Sequence, residues 1–117
     1  MNKYRGSCHC GAITYRFSAP AIDKGLRCNC SICVRKGAVM TAFTVAPEDI
    51  DIEIKDSSLS TYQFGSKTAK HHFCKQCGIY TFHETKSKPS HFRLNIGCIE
   101  GINSLEIPVE IFDGAAI

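Results

Sequence analysis

Hydrophobic and polar residues alternate with a period of two along much of this chain. Ile13, Tyr15 and Phe17 fall on one side while Thr14 and Arg16 fall on the other, as expected of a β-strand, whose successive side chains point to opposite faces. The alternation recurs at Val39, Thr41, Phe43 and Val45, and again at Ile50, Ile52 and Ile54. STYQF, AKHHF, IYTFHE, HFRLNIGCI and PVEIFDG read as further strands, being rich in residues that suit a pleated, half-buried surface. SAPA, KDSS, FGSK, KSKPS and EGINS supply the turn chemistry between them. No window sustains a helical period. Single helical turns are expected only after Cys30 and near PEDI. The pattern predicts a mainly β protein of short antiparallel strands.

A chain of 117 residues suits one domain, residues 1–117. It buries roughly two thirds of the surface its unfolded form exposes, so short strands around so small a core need a staple. Composition offers one. Eight cysteines are present, far above ordinary usage, and they point either to disulfides or to metal. The opening MNKYRGSCHCG has no apolar run of the signal-peptide kind. A reducing, cytoplasmic setting is therefore expected, where clustered thiols bind metal. Apolar runs are too short to span a membrane. The net charge of +3 admits anionic small molecules but lacks the dense basic stripe of a nucleic-acid binder.

The cysteines fall into groups: Cys8 and Cys10, then Cys28, Cys30 and Cys33, then Cys74 and Cys77, with Cys98 alone. A Cys-x-Cys pair in an extended strand presents both sulfurs to one side. Cys-x-x-Cys followed by Gly78 forms a turn around a metal. Two such pairs complete a four-thiolate set, which suits structural zinc. Joining Cys8/Cys10 to Cys74/Cys77 leaves Cys28, Cys30 and Cys33 as a local triad, and this pairing is favoured because near ligands share one ion without extra loop closure. Joining Cys8/Cys10 to Cys28/Cys30 is the alternative, and it strands Cys33. Spacing leaves the triad's fourth position open between water or substrate and a closing ligand from His9, His71, His72, His83, His91, Cys98 or a carboxylate.

GSCHCGAITYRF, CNCSICVRKGA, HHFCKQCGIYTF and FRLNIGCI together resemble the glutathione-dependent formaldehyde-activating (GFA) family, which includes the domain of centromere protein V. The resemblance covers roughly residues 6 to 99. It implies a small zinc-stapled β-tent-like fold with two tented sheets. It also implies two zinc ions per chain: a structural one on Cys8, Cys10, Cys74 and Cys77, and a second on Cys28, Cys30 and Cys33 with an exchangeable fourth ligand, these three then being ligands of the catalytic zinc. The implied activity joins glutathione to formaldehyde as S-hydroxymethylglutathione, a carbon–sulfur lyase in the reverse sense. A zinc ion with three thiolates carries a net charge of −1. It suits a soft thiol better than hydroxide, and catalysis would be proximity and nucleophile activation. A non-catalytic two-zinc binding module and a thiol carrier are the alternative readings.

Many relatives have histidine where this chain has Asn29 and arginine where it has Val34. Arg35 and Lys36 follow directly and are placed to stand in for that charge. Arg27, Arg35, Lys36, Lys70 and Arg93 are the cations able to meet the carboxylates of glutathione, and Arg27 and Arg35 lead because they flank the triad. His71 and His72 should occupy opposite faces of one strand. Cys98 reads as a small buried hydrophobe.

Overall fold

The computed structural model describes residues 1–116. Its strands are β1 (Asn2–Ser7), β2 (Ile13–Ala19), β3 (Gly25–Cys28), β4 (Met40–Thr41), β5 (Ile50–Ile54), β6 (Leu59–Tyr62), β7 (Lys70–Cys74), β8 (Tyr80–Glu84), β9 (Phe92–Leu94) and β10 (Val109–Phe112). One short helix, α1 (Ser31–Lys36), follows Cys30, and 3₁₀ turns lie at Pro47–Asp49, Ile96–Cys98 and Gly114–Ala116. The expected helical turns after Cys30 and near PEDI are both present. No helix among the described residues is long and apolar enough to cross a membrane.

Three sheets result, with strand orders β1-β2-β5, β6-β7-β8-β9 and β10-β3-β4. β2 is the clearest product of the sequence pattern: Ile13, Tyr15 and Phe17 are buried in the core while Arg16 is exposed. The Tyr15 ring meets Phe82 of β8 edge-on at 5.7 Å, so the first sheet packs on the four-stranded one through an aromatic contact. Leu94, Ile96 and Ile99 complete the centre of this core. Gly6 is required on β1 because a Cβ there would run into the Tyr15 ring.

The fold departs from the simple alternating pattern in three places. The segment from Val39 to Val45 is not one continuous strand. Met40 and Thr41 are both buried, at 3% and 0% exposure, and besides their pairing with β3 the segment makes, among the described residues, isolated bridges from Met40 to Asn95 and from Val45 to Phe92. The Thr41 hydroxyl ends the strand by donating to the Phe43 carbonyl (2.9 Å) and accepting from the Leu94 N–H (3.2 Å). HFRLNIGCI yields strand only over Phe92–Leu94, because the Asn95 side chain accepts from the Gly97 N–H (3.0 Å) and turns the chain into a 3₁₀ turn. Finally, β10 joins β3 in parallel, Val109 opposite Gly25 and Phe112 opposite Cys28, an exception among otherwise antiparallel pairs.

Candidate metal centres and the cavity beside them

Each Cys group sits where a strand gives way to a turn. Cys8 and Cys10 lie between β1 and β2. Cys74 closes β7, and Cys77 lies in the turn leading to β8. Both turns pass through the left-handed region at a glycine, Gly11 with φ 84° and Gly78 with φ 78°, where a side chain would be strained. The turns face each other across the core edge. Sγ of Cys8 and Cys10 are 3.7 Å apart, and those of Cys10 and Cys74 are 3.6 Å apart. Four sulfurs held at about 2.3 Å around one tetrahedral ion stand about 3.8 Å from one another, so the donor set and its spacing fit a metal. The favoured pairing of Cys8/Cys10 with Cys74/Cys77 is the one the fold makes, since all four ligand atoms lie within 4.8 Å of one another. Backbone N–H groups already point at the sulfurs, Ile13 at Cys8 (3.3 Å) and Cys77 at Cys74 (3.5 Å). Burial raises the Cys77 thiol, but backbone N–H groups of Cys10 and Ile79 outweigh it and bring its pKa down to about 6.

The second cluster is local. Cys28 ends β3, Cys30 caps α1 in extended conformation, and Cys33 lies one turn into the helix. The Val34 N–H closes the turn on the Cys30 carbonyl at 3.0 Å. All three sulfurs are half-buried and within 4.8 Å of one another, and among the described residues no fourth His, Cys, Asp or Glu joins them. Burial pushes Cys33 up to about 12, against the pull of the Lys36 ammonium. Burial also opposes ionisation of Cys30, but there the N–H groups of Cys33 and Ile32 win and lower it. The segment following β10 closes over this cluster. Asn29 donates to Asp113 (2.9 Å) and accepts from the Ala115 N–H (2.9 Å), and a Cβ at Gly114 would collide with the Cys28 sulfur. Asn29, one of the departures from the family pattern, thus serves as the clasp for residues 113–115.

The three cysteines form part of the wall of a cavity of about 660 Å³. Leu26, Met40, Phe64 and Phe112 give it an apolar lining, and Lys36, His71, His83 and Arg93 bring polar groups to it. Arg27 and Arg35 do not line it. Arg27 is exposed on β3, and Arg35 turns back to donate to the Ser31 carbonyl at 2.8 Å. Lys36, one position further round the helix, points inward. Its Nζ lies 4.4 Å from the centre of the Tyr80 ring and within reach of the Tyr80 hydroxyl (3.4 Å). Arg93 donates to the Thr41 carbonyl at 2.9 Å.

Tyr80, which the sequence pattern marks only as part of the strand stretch IYTFHE, has a larger part here. Its hydroxyl contacts Nδ1 of His71 (2.6 Å) and Nδ1 of His83 (2.9 Å). A regular strand would put Tyr80 and His83 on opposite faces. The β7–β8 register slips, pairing His72 with Phe82 but Phe73 with Tyr80. Thr81 is the extra residue, and this bulge brings Tyr80 to the side of His83. His72 faces away from the cavity as expected, with Nε2 2.8 Å from Glu84 and Nδ1 2.9 Å from the Thr61 hydroxyl. Cys98 packs against the core, and burial raises its thiol to about 11.

A β-rich fold with one four-cysteine and one three-cysteine cluster, each able to hold a metal ion, defines a cysteine-stapled protein whose second cluster opens on a cavity. The comparisons agree. A family model described as glutathione-dependent formaldehyde-activating enzyme matches residues 3–115, and the chain belongs to that family. A crystal structure of a Rhodobacter sphaeroides protein is 37% identical and covers 91% of this chain and 99% of its own, with a TM-score of 0.80. Formaldehyde activation with glutathione is the function at the level of the family.

Proposed function

We propose that this chain is a zinc-dependent carbon–sulfur lyase-type enzyme that joins glutathione or a similar thiol to formaldehyde, and reverses the reaction, in the manner of an S-hydroxymethylglutathione synthase. One zinc is held by Cys8, Cys10, Cys74 and Cys77 as a structural staple, and one by Cys28, Cys30 and Cys33. The observation that carries this reading is the three-sulfur cluster with no fourth donor among the described residues, set in the wall of a cavity of about 660 Å³. Zinc bound there supplies a place where a substrate thiol is held as thiolate.

The chain's own residues supply the rest. Leu26, Met40, Phe64 and Phe112 exclude water from the reacting groups, which strengthens the electrostatic contacts among them. Lys36, Lys86 and Arg93 are the cations lining the cavity, suited to the carboxylates of glutathione, and Lys36 is the one beside the cluster. Arg27 and Arg35 flank the cluster outside the cavity and would meet a carboxylate only beyond its rim. A reducing compartment such as the cytoplasm keeps both clusters in thiol form.

Calorimetric titration of glutathione into zinc-loaded protein tests the reading. Saturable binding is expected in the wild type, with loss of binding in a folded Cys30→Ser variant. Normal binding by that variant would remove the triad from the site. Exchange of ¹³C-formaldehyde with its glutathione adduct, followed by NMR above the uncatalysed background, separates enzyme from carrier: a carrier binds the thiol without accelerating exchange.

A further inference from the structure

His71 and His83 are cross-strand partners on β7 and β8, and the bulge at Thr81 sets the Tyr80 hydroxyl between them. The two contacts, 2.6 Å to Nδ1 of His71 and 2.9 Å to Nδ1 of His83, each require a proton between the heavy atoms. A phenol has a single O–H and can donate in only one of them. In the other, the imidazole must donate its own Nδ1–H to the phenol oxygen. Lys36 Nζ, at 3.4 Å from Tyr80 Oη and 3.5 Å from His83 Nδ1, stands at the limit of hydrogen bonding and cannot supply the missing proton of a 2.9 Å contact.

Both imidazoles are neutral at physiological pH. Burial, with Lys36 next in weight, brings His71 down to about 4 and His83 to about 2. Lys36 of α1, Arg93 of β9 and Lys86, which follows β8, are the charged side chains lining the cavity; Lys36 and Arg93 disfavour a cation at His83, and Lys36 disfavours one at His71. A neutral imidazole carries one proton. The histidine that donates from Nδ1 therefore has a bare Nε2, and the one that accepts at Nδ1 carries Nε2–H. Neither Nε2 has a protein partner among the described residues. Among the described residues, the one buried side-chain N or O atom without a partner is the Tyr15 hydroxyl, so both Nε2 atoms reach open space. Both residues line the cavity that the three cysteines share. One base and one acid thus face the same chamber.

We propose that His71 and His83 act as a paired base and acid, held in opposite tautomers by the shared Tyr80 hydroxyl, and that the pair carries the proton of the thiol to the oxygen of the aldehyde. The proposal rests on the thiol–aldehyde reading of the cavity given above. As the thiol becomes the held thiolate its S–H bond breaks, and that proton goes to the bare Nε2. The sulfur electron pair forms the C–S bond, the carbonyl π pair moves onto oxygen, and that oxygen takes the proton from the other histidine's Nε2. Within the pair, the first histidine's Nδ1–H moves to the tyrosine oxygen while the tyrosine proton moves to the second histidine's Nδ1. Both imidazoles end neutral with their roles exchanged, which is the arrangement that the reverse reaction needs. Proton exchange with cavity water after product release, one proton lost and one gained, restores the starting pair. Tyr80 touches neither reactant and is a positioning residue.

The test uses zinc-loaded full-length protein carrying ¹⁵N-histidine. Long-range ¹H–¹⁵N correlation at pH 7 without thiol should find His71 and His83 in opposite tautomers. Tyr80→Phe keeps the ring and deletes the bridge. It should release the opposed tautomers, leave the calorimetric affinity for glutathione within about twofold, and lower kcat for formaldehyde exchange by about 100-fold, the lower end of what positioned acid–base groups contribute. The same tautomer at both histidines in the wild type, or a wild-type kcat in Tyr80→Phe, overturns the pair. Should Tyr80→Phe fail to fold, His83→Gln must show the same loss of kcat, and a wild-type kcat there overturns the proposal equally. Failure of the wild type to bind any thiol overturns the open-site reading instead, while the histidine signals still judge the tautomer lock by themselves.

Discussion

Gly114→Ala isolates the second cluster from the first. A methyl group at Gly114 would overlap the Cys28 sulfur and sit 3.4 Å from Cys30 Cβ and 3.5 Å from a Phe112 ring carbon. The ring and the helix cap leave it no free side, so the sulfur has to give way. Without metal, a cysteine side chain can swing to another rotamer at small cost. With metal bound, its direction is fixed and the crowding is paid in full. Forcing a methyl group into a packed site costs about 1–3 kcal/mol. At 1.4 kcal/mol per tenfold, that is about a 5- to 140-fold loss of zinc affinity. Cys8, Cys10, Cys74 and Cys77 do not touch Gly114, so their affinity should not move. Competition with a chromophoric chelator resolves the two binding steps: one should stay at its wild-type position while the other weakens. In a Cys28→Ala background the same substitution should add little, because the γ atom it crowds is gone. Two unmoved steps, or two steps weakened alike, refute the reasoning.

Three further outcomes follow. Cys74→Ser removes a buried sulfur from the cluster that ties the β1–β2 turn to β7. A structural zinc site contributes about 10–16 kcal/mol of apparent binding free energy, so this variant should lose cooperative unfolding by circular dichroism; a stably folded Cys74→Ser protein would contradict the structural role. Stability should fall as pH drops below about 6.5, because the unfolded histidines take up protons there while His71 waits until about 4 and His83 until about 2. The unfolded state then binds up to two protons more, a slope of up to about 2.7 kcal/mol per pH unit. Urea unfolding at pH 7, 6 and 5 in excess zinc measures it as a difference between variants: zinc-bound thiolates add the same slope to each, and His83→Gln should be shallower than the wild type by up to about 1.4 kcal/mol per pH unit. Lys36→Gln should weaken glutathione binding more than that of a neutral thiol such as 2-mercaptoethanol, since only the former carries carboxylates; equal effects on both would remove Lys36 as a carboxylate partner.

The sequence pattern was legible where one face of a strand is buried and the other is not. β2 is of this kind, with Tyr15 at 2% exposure beside an exposed Arg16. The pattern is silent in β1, where most side chains are polar and exposed and the strand owes its place to pairing with β2. It misleads at Met40 and Thr41, which are buried on both faces. The cysteine groups were legible because a ligand set leaves its spacing in the sequence. The orientation of the neighbouring cations was not: Arg35 and Lys36 are adjacent in the chain, but a helix turns about 100° per residue, so one turns back along the surface and the other enters the cavity. Tyr80 was hidden for a different reason. Its place depends on one unpaired residue, Thr81, and a single extra residue reverses the face of everything beyond it.

The parallel pairing of β3 with β10 has a kinetic side. Cys28, Cys30 and Cys33 lie within one loop and helix turn, so they can gather a metal ion as soon as that segment exists. Their cover, from Phe112 to Ala115, must be brought back across a loop of about 80 residues, whose closure costs about 4 kcal/mol in chain entropy before any contact rewards it. Contacts this far apart in sequence form late. Loop length alone thus favours the three thiols gathering before their clasp, Asn29 with Asp113 and Ala115, closes. In that interval the cluster is exposed to oxidants and competing thiols that the finished cavity screens by size and charge. The molecule's period of greatest chemical risk thus falls during its own assembly.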